Sequence, residues 1–336
     1  MKVQLIGLGN VGRSLVELMA EEKHLLGARG HMINIVAVSD SQGSAIDKKG
    51  LSPEEILEFK KLGWKGFPKY HKGYGASRAI AEVESHAVVE LTPSTLSGQP
   101  GLSNIKAALN AGKHVVTANK GPLVVAYREL VNTAKVHKTR LLFEATVAAH
   151  LPVFCLVESC FKADELQSIR GILNATTNYI IEQIEKGKTF EEGLREAVRD
   201  GWVETDYSDD VDGVDAARKT VILANTLFKA EAKIEDVKTR GIRNVENLIK
   251  EAQRQDAKVK LLCEITETNN NLRMTVQPKK LSISDPLATV NHGNMGLVFR
   301  FKTSGDIFVS AQFLGPKQTA YAVLNDLLKI ETEAAC

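Results

Sequence analysis

The chain has 336 residues, 43% of them hydrophobic and 25% charged, with a formal net charge of +2. That is the profile of a soluble globular protein with room for two domains of ordinary size. It exerts no global pull toward nucleic acid or an anionic membrane, and no Lys/Arg cluster carries interleaved aromatics, so neither partner is expected. The opening MKVQLIGLGNVG is too short in its apolar run for a secretory leader, and no stretch approaches a membrane span. Cys155, Cys160, Cys263 and Cys336 form no C-x-x-C pair and are too few for a disulfide framework. They suit a reducing cytoplasm, with Cys336 expected to be an exposed free thiol.

Residues 2 to 8 read as a buried strand. Gly7, Gly9 and Gly12 follow as G-x-G-x-x-G, and apolar residues at helical spacing predict a helix from 11 to about 26. A second strand over 33 to 39 ends at Asp40. Strand, glycines, helix, strand and acid in that order fit a dinucleotide site better than a bare glycine turn. The first glycine makes a tight turn and the second lets a pyrophosphate approach the backbone. The third packs helix on sheet, and the helix N-terminus favours the anion. Gly7, Leu8, Gly9, Asn10, Val11 and Gly12 are therefore candidate cofactor contacts, and Asp40 is expected to accept hydrogen bonds from the adenosine ribose. The interval from Gly12 to Asp40 exceeds the usual spacing of about twenty residues, so an insertion is expected before Gly30. Ser41 and Gln42, not arginine, follow Asp40. A carboxylate there repels a 2′-phosphate, which leans toward NAD(H) over NADP(H), with Lys48 and Lys49 placed to fold back and offset it.

Residues 41 to 76 read as an irregular, lid-like insertion with one short helix, capped at Ser52-Pro53-Glu54-Glu55. The α/β alternation resumes with a strand over 87 to 91, which runs into Thr92, Pro93 and Ser94. These three are further cofactor candidates, because an open parallel sheet binds its ligand at the carboxyl ends of its strands. A helix over about 104 to 111 and a strand over 114 to 117 lead to Lys120, which also stands just past a strand's carboxyl end. A helix over about 127 to 137 and a strand over 140 to 143 follow.

From about 152 helices (near 152–160, 178–185, 190–199, 214–227 and 245–253) mix with strands (near 167–173, 260–266, 272–276, 297–302 and 307–313). Several of the strands alternate apolar and polar residues, as in a one-sided antiparallel sheet. An amphipathic helix over 319 to 330 is expected to return to the first domain. The fold class is thus α/β: a Rossmann-type parallel sheet domain over 1–150 with a returning helix in 316–336, and an α+β domain over 151–315.

Residues 201 to 219 concentrate acid: Glu204, Asp206, Asp209, Asp210, Asp212 and Asp215, with Lys219 after them. A helix starting at Gly213 would put Asp215 and Lys219 on one face, a turn apart. Alone, this stretch reads as a solvated acidic loop with a surface ion pair.

Several ordered motifs change that reading: GLGNVG at 7–12, TANKGP at 117–122, EATVAAHLP at 144–152, GILNATTNYI at 171–180 and ETDYSDDVDGVDAARK at 204–219, with a weaker match in PKQTAYAVLNDLL at 316–328. Together they make the chain resemble homoserine dehydrogenase along nearly its whole length. The resemblance implies NAD(P)-dependent interconversion of L-aspartate 4-semialdehyde and L-homoserine, leading toward threonine and methionine. It implies a proton-donor role for Lys219, with Lys120 as the second active-site lysine. Glu204 and Asp215 match substrate-binding acids, Asp210 a further substrate contact, and Thr176 the loop lining the substrate site. Glu144 with the carbonyls of Val147, Ala149 and Leu151 matches a monovalent-cation site, usually sodium. A homodimer through the second domain's sheet is also implied.

The chemistry agrees. When hydride adds to an aldehyde carbon, charge develops on oxygen, and a lysine ammonium both stabilises it and supplies the proton. The substrate's ammonium needs carboxylates, and its carboxylate needs donors such as a second lysine. The chain also departs from the family. Ala148, His150 and Ala175 stand where glycines are common, Trp202 where tyrosine is common, and only Gly315 remains of a glycine-rich turn before the last helix. His150 is given no role. No C-terminal ACT domain, and hence no threonine feedback through one, is expected. Ala175 and Trp202 leave open a dehydrogenase of another small amino or hydroxy acid. A non-catalytic dinucleotide sensor would need none of Lys120, Lys219, Glu204 and Asp215.

Overall fold

The computed structural model describes residues 1–201, 207–268 and 271–334. Trp202, Glu204, Asp206 and Cys336 lie outside them, so what the sequence suggests for these four has no structural counterpart here. The chain divides into two compact units, Met1–His150 with Leu314–Cys336, and Leu151–Phe313.

The first unit is built on β1 (Lys2–Ile6), β2 (Asn34–Ser39), β3 (Gly43–Leu51), β4 (Tyr70–Lys72), β5 (Ala87–Glu90), β6 (His114–Thr117) and β7 (Leu141–Leu142). They line up in the order β4-β3-β2-β1-β5-β6-β7. The run from β2 to β7 is parallel throughout. Chain order reverses direction between β1 and β5, the switch point where such sheets bind ligands. The helices are α1 (Asn10–Glu21), α2 (Lys23–Ala28), α3 (Pro53–Lys61), α4 (Ala76–Glu82), α5 (Gly101–Asn110) and α6 (Lys120–Val136). The single helix expected from 11 to 26 is two, interrupted at Glu22.

The segment after Asp40 is sheet, not a lid. β3 pairs antiparallel with β2, Ser39 opposite Ser44 and Ile35 opposite Leu51, and β4 pairs with β3. Its sequence hides this because β3 stands near the sheet's edge, where charged Asp47, Lys48 and Lys49 are tolerated and discourage further pairing. The expected capping box at Ser52 and Glu55 is present at the start of α3.

The C-terminal helix, Pro316–Ala334, returns to this unit. Ala320, Val323, Leu324, Leu327 and Ile330 share one apolar core with Leu15, Leu18 and Met19 of α1. Glu331 accepts from the Met1 ammonium and meets His31 at 3.0 Å, tying the helix to the start of the chain.

The second unit contains α7 (Phe154–Cys160), β8 (Leu166–Ile172), α8 (Ala175–Glu185), α9 (Phe190–Arg199), α10 (Ser208–Val211), α11 (Val214–Leu227), β9 (Val237–Thr239), α12 (Glu246–Gln253), β10 (Ala257–Thr268), β11 (Asn271–Ser282), β12 (Met295–Phe301) and β13 (Gly305–Ala311). The sheet order is β13-β12-β8-β10-β11-β9, with only β9 running parallel to its neighbour. The sheet is not one-sided at its centre. Cys263 of β10 faces the Ala216 carbonyl of α11, while its neighbour Leu262 enters a cluster with Leu287 and Ala288. A short 3-10 turn, Pro286–Thr289, supplies that second cover.

Candidate functional site

In the first unit the candidate residues gather where β1, β5 and β6 end. Gly7 has φ +93°, and a Cβ there would stand 2.6 Å from the Leu91 carbonyl carbon. A Cβ on Gly12 would stand 2.3 Å from the Gly7 oxygen. These two glycines exist for packing. Gly9 differs, since nothing lies within 4 Å of where its Cβ would be. It is the N-cap of α1, makes no side-chain cap, and no acid occupies the first turn. The first N–H groups of the helix thus have no capping side chain at the N-cap, and the helix N-terminus suits an anion such as a pyrophosphate. Leu8 is buried, Val11 packs on the core, and Asn10 accepts from Arg13 at 2.9 Å.

Thr92, Pro93, Ser94 and Lys120 are brought together. Lys120 is the first residue of α6, which starts seven residues earlier than its periodicity suggests because Gly121 and Pro122 are tolerated in a first turn. Asn119 caps the helix, its Oδ1 accepting from Gly121 N at 3.1 Å, and Ser94 Oγ accepts from the same N–H at 3.0 Å. The other end of the Asn119 amide donates to Thr92 Oγ1 at 3.3 Å and to the Pro93 carbonyl at 3.5 Å. Two loops from adjacent strands are therefore fastened at one edge. Gly315, at φ +133° with open space around it, precedes the C-terminal helix.

Asp40 ends β2 as expected, but its carboxylate is already occupied. Oδ1 accepts from Gln42 N, Gly43 N and Tyr70 Oη, and Oδ2 from Trp64 Nε1 at 2.8 Å and Lys60 Nζ at 3.3 Å. Trp64 and Tyr70 stack with ring centroids 5.2 Å apart. Burial opposes the charge, but these donors outweigh it and hold the carboxyl below its usual range. A carboxylate offers about four lone-pair sites, so donors of its own chain already fill this one, and a ribose hydroxyl would have to displace one of them. The counter-charge is Lys60, not Lys48 or Lys49. Those two lie toward the far end of β3, beyond Ile46, which pairs with Ala37, while Asp40 follows the Ser39–Ser44 pair.

Glu144, Val147, Ala149 and Leu151 are all buried. Glu144 N donates to Asp326 Oδ2 at 2.9 Å, and its carboxylate lies 3.8 Å from Lys329 Nζ. One carboxylate with carbonyls suits a hard monovalent cation in kind, but a lysine already supplies positive charge here. Among the described residues no group of three or more His, Cys, Asp and Glu gathers to hold a metal. His150 has a buried Nδ1 with no partner among the described residues, and burial pushes its pKa down, as for a neutral ring.

In the second unit the acidic stretch resolves into separate tasks. Gly213, at φ +81°, starts α11 and packs against Thr239 and Val276. One turn on, Lys219 Nζ lies 2.7 Å from Asp215 Oδ2 and donates to the Leu173 carbonyl at 2.6 Å. Both side chains are nearly enclosed, at 12% and 14% exposure. Asp210 hydrogen-bonds Thr176, and burial, then the nearby Asp215 charge, push its pKa up. Asp209 and Asp212 instead form outer ion pairs with Arg218 at 2.6 Å and Arg243 at 2.5 Å.

Asn174 is the residue that sequence reasoning missed. Its Nδ2 donates to Asp210 at 2.6 Å and to Asp215 at 3.0 Å, and its Oδ1 caps α8 through Thr177 N at 2.9 Å. One amide bridges two like charges that would otherwise repel. An asparagine directly before a helical run is the available signal, because it marks a cap whose amide nitrogen is left to reach elsewhere.

Comparison with known proteins points the same way for both units. The family description "Homoserine dehydrogenase, NAD binding domain" matches residues 7–144, and "Homoserine dehydrogenase" matches residues 152–328. The chain is 36% identical over 335 residues to a homoserine dehydrogenase of Methanocaldococcus jannaschii, covering 98% of each. It is 31% identical over 340 residues to an NAD(+)-dependent homoserine dehydrogenase of Pseudomonas canavaninivorans, covering 99% of this chain and 97% of that one. A solved hyperthermophilic archaeal homoserine dehydrogenase in complex with NADPH superposes with a TM-score of 0.85 at 27% identity, covering 99% of this chain and 98% of that one. With both units matched and a full-length relative above 30% identity, this chain belongs to the homoserine dehydrogenase family of NAD(P)-dependent oxidoreductases.

Proposed function

We propose that Lys219 is the acid/base of this chain in the interconversion of L-aspartate 4-semialdehyde and L-homoserine. The observation that carries it is the enclosed Lys219–Asp215 pair, one helical turn long and 2.7 Å apart. When bound, the nicotinamide supplies or takes the hydride at the substrate's C4. Lys219 gives a proton to the developing alkoxide oxygen in reduction and withdraws it from the alcohol in oxidation. Asp215 and the Leu173 carbonyl hold its Nζ in place, so that the proton is delivered from a fixed point. Asp215 with Glu204 binds the substrate ammonium, and Asp210 and Thr176 assist.

Lys120 serves as the second lysine, beside Thr92, Pro93 and Ser94 on the cofactor edge. Gly9 with the start of α1 holds the pyrophosphate, Leu8, Asn10 and Val11 line that turn, and Gly315 remains a further contact. With Asp40 filled and Lys60 beside it, the repulsion of a 2′-phosphate is offset, so both NAD(H) and NADP(H) are accepted. A monovalent cation held by Glu144 and the carbonyls of Val147, Ala149 and Leu151 would be structural, and no step runs through it. A homodimer built on the second unit's sheet, working in the cytoplasm, completes the reading; sedimentation at the mass of one chain would remove the dimer.

The test is spectrophotometric: L-homoserine oxidation with NAD and with NADP, on the wild type and on Lys219→Ala. Folded protein inactive with both cofactors would overturn the reading. Activity with only one of them would overturn the dual acceptance alone.

A further inference from the structure

Glu90 ends β5 and is fully buried, at 0% exposure. No cation pairs with it among the described residues. Every partner is a neutral donor. Oε1 accepts from Thr92 N at 3.1 Å and from Thr92 Oγ1, and Oε2 lies 3.4 Å from Thr117 Oγ1. The side chains of Asn119 and Asn104 also bond to it. The Glu90 carbonyl accepts from Thr117 Oγ1 at 2.8 Å, and that hydroxyl accepts from Asn119 N at 3.0 Å. Room for this carboxyl is left by Gly101 of α5, where a Cβ would stand 2.5 Å from Asn119 Nδ2 and 3.0 Å from Glu90 Oε2.

Burying an acid without a cation is unfavourable, and burial pushes its pKa up. An apolar residue would fill a strand end as well, but it would take the acceptor away from the Thr92 N–H and hydroxyl. What the acid achieves is to fasten the exit of β5 to the exit of β6. Thr92-Pro93-Ser94 and the capped start of α6, with Lys120, cannot then shift independently.

We propose that Glu90 is a positioning residue for cofactor binding, holding Thr92-Pro93-Ser94 and Lys120 in one arrangement through Thr117 and Asn119. It touches neither cofactor nor substrate. The proposal rests on the reading of this edge as the cofactor edge.

Titration of NADH by fluorescence, with thermal melting as the fold control, tests it. Glu90→Ala is expected to stay folded and bind NADH roughly tenfold more weakly or worse, because buried donors lose their acceptor. Glu90→Gln is isosteric and keeps one carbonyl acceptor for the Thr92 donors, and is expected to bind more tightly than Glu90→Ala. Should Glu90→Ala not fold, Glu90→Asp replaces it, since it retracts the carboxyl by one methylene and is expected to weaken binding with the fold intact. Wild-type affinity in folded Glu90→Ala or Glu90→Asp overturns the proposal, and so does a Glu90→Gln no tighter than Glu90→Ala. Lys120→Ala and Ser94→Ala separate the layers. If neither changes NADH affinity, the reading of the edge fails; if they weaken it while Glu90→Ala does not, only the positioning role fails.

Discussion

Glu90 in the first unit and Asp215 in the second are both enclosed acids at the end of a secondary element, and their neighbours divide them. Among the described residues Glu90 meets only neutral hydroxyls, amides and a backbone N–H, so it is fixed in place. Asp215 meets a lysine at 2.7 Å and accepts from the Asn174 amide, and its side chain keeps 14% exposure. An acid ringed by neutral donors holds geometry. An acid paired with a cation that retains an approach from outside can bind charge and tune a proton donor. Asp40 marks the third case, in which an acid expected to bind ligand is consumed by its own chain.

The comparison breaks first at Asp215. Asp215→Asn is expected to lower kcat/KM for homoserine by roughly 100-fold, about 2.7 kcal/mol of transition-state stabilisation, with cofactor affinity unchanged. Asn174→Ala, which removes the bridge between Asp210 and Asp215, is expected to cost about tenfold in the same quantity. An unchanged kcat/KM in Asp215→Asn would remove the distinction between the two acids. The first unit is sharpened by its glycines. Gly9→Ala should fold normally, since its Cβ meets nothing, and weaken cofactor binding by roughly tenfold. Gly12→Ala should lower the melting temperature instead, because its Cβ meets the Gly7 carbonyl. Equal melting temperatures for the two variants would contradict that assignment.

The smallest effect is a pH dependence. Burial raises the Glu90 pKa in the folded state. Its stabilising contribution is therefore full below the unfolded value, about 4.3 for glutamate, and is lost as pH rises through the folded value. Glu90→Gln has no such loss. Its gain in melting temperature over the wild type should grow as pH rises above the unfolded value, and a constant difference would contradict a raised Glu90 pKa.

Legibility followed the length scale of each interaction. The apolar runs of β1, β2, β5 and β6 and the one-turn step from Asp215 to Lys219 are local, and both were readable. β3 was hidden because a charged strand near an edge lacks the alternation that identifies a strand. The filling of Asp40 was hidden because Lys60, Trp64 and Tyr70 arrive from 20 to 30 residues away. Asn174 reaches Asp210 and Asp215 across 36 and 41 residues, and no spacing rule connects them. Glu90 left one trace, an acid inside the otherwise apolar run AVVEL. Such a residue in a buried strand marks a polar network that the sequence alone does not complete.

The central claim is that Lys219 moves the proton, and single-variant kinetics test it most directly. For folded Lys219→Ala with saturating cofactor, kcat for homoserine oxidation is expected to fall by about 10²- to 10⁴-fold, with NADH affinity unchanged. Turnover at the wild-type rate would contradict the account.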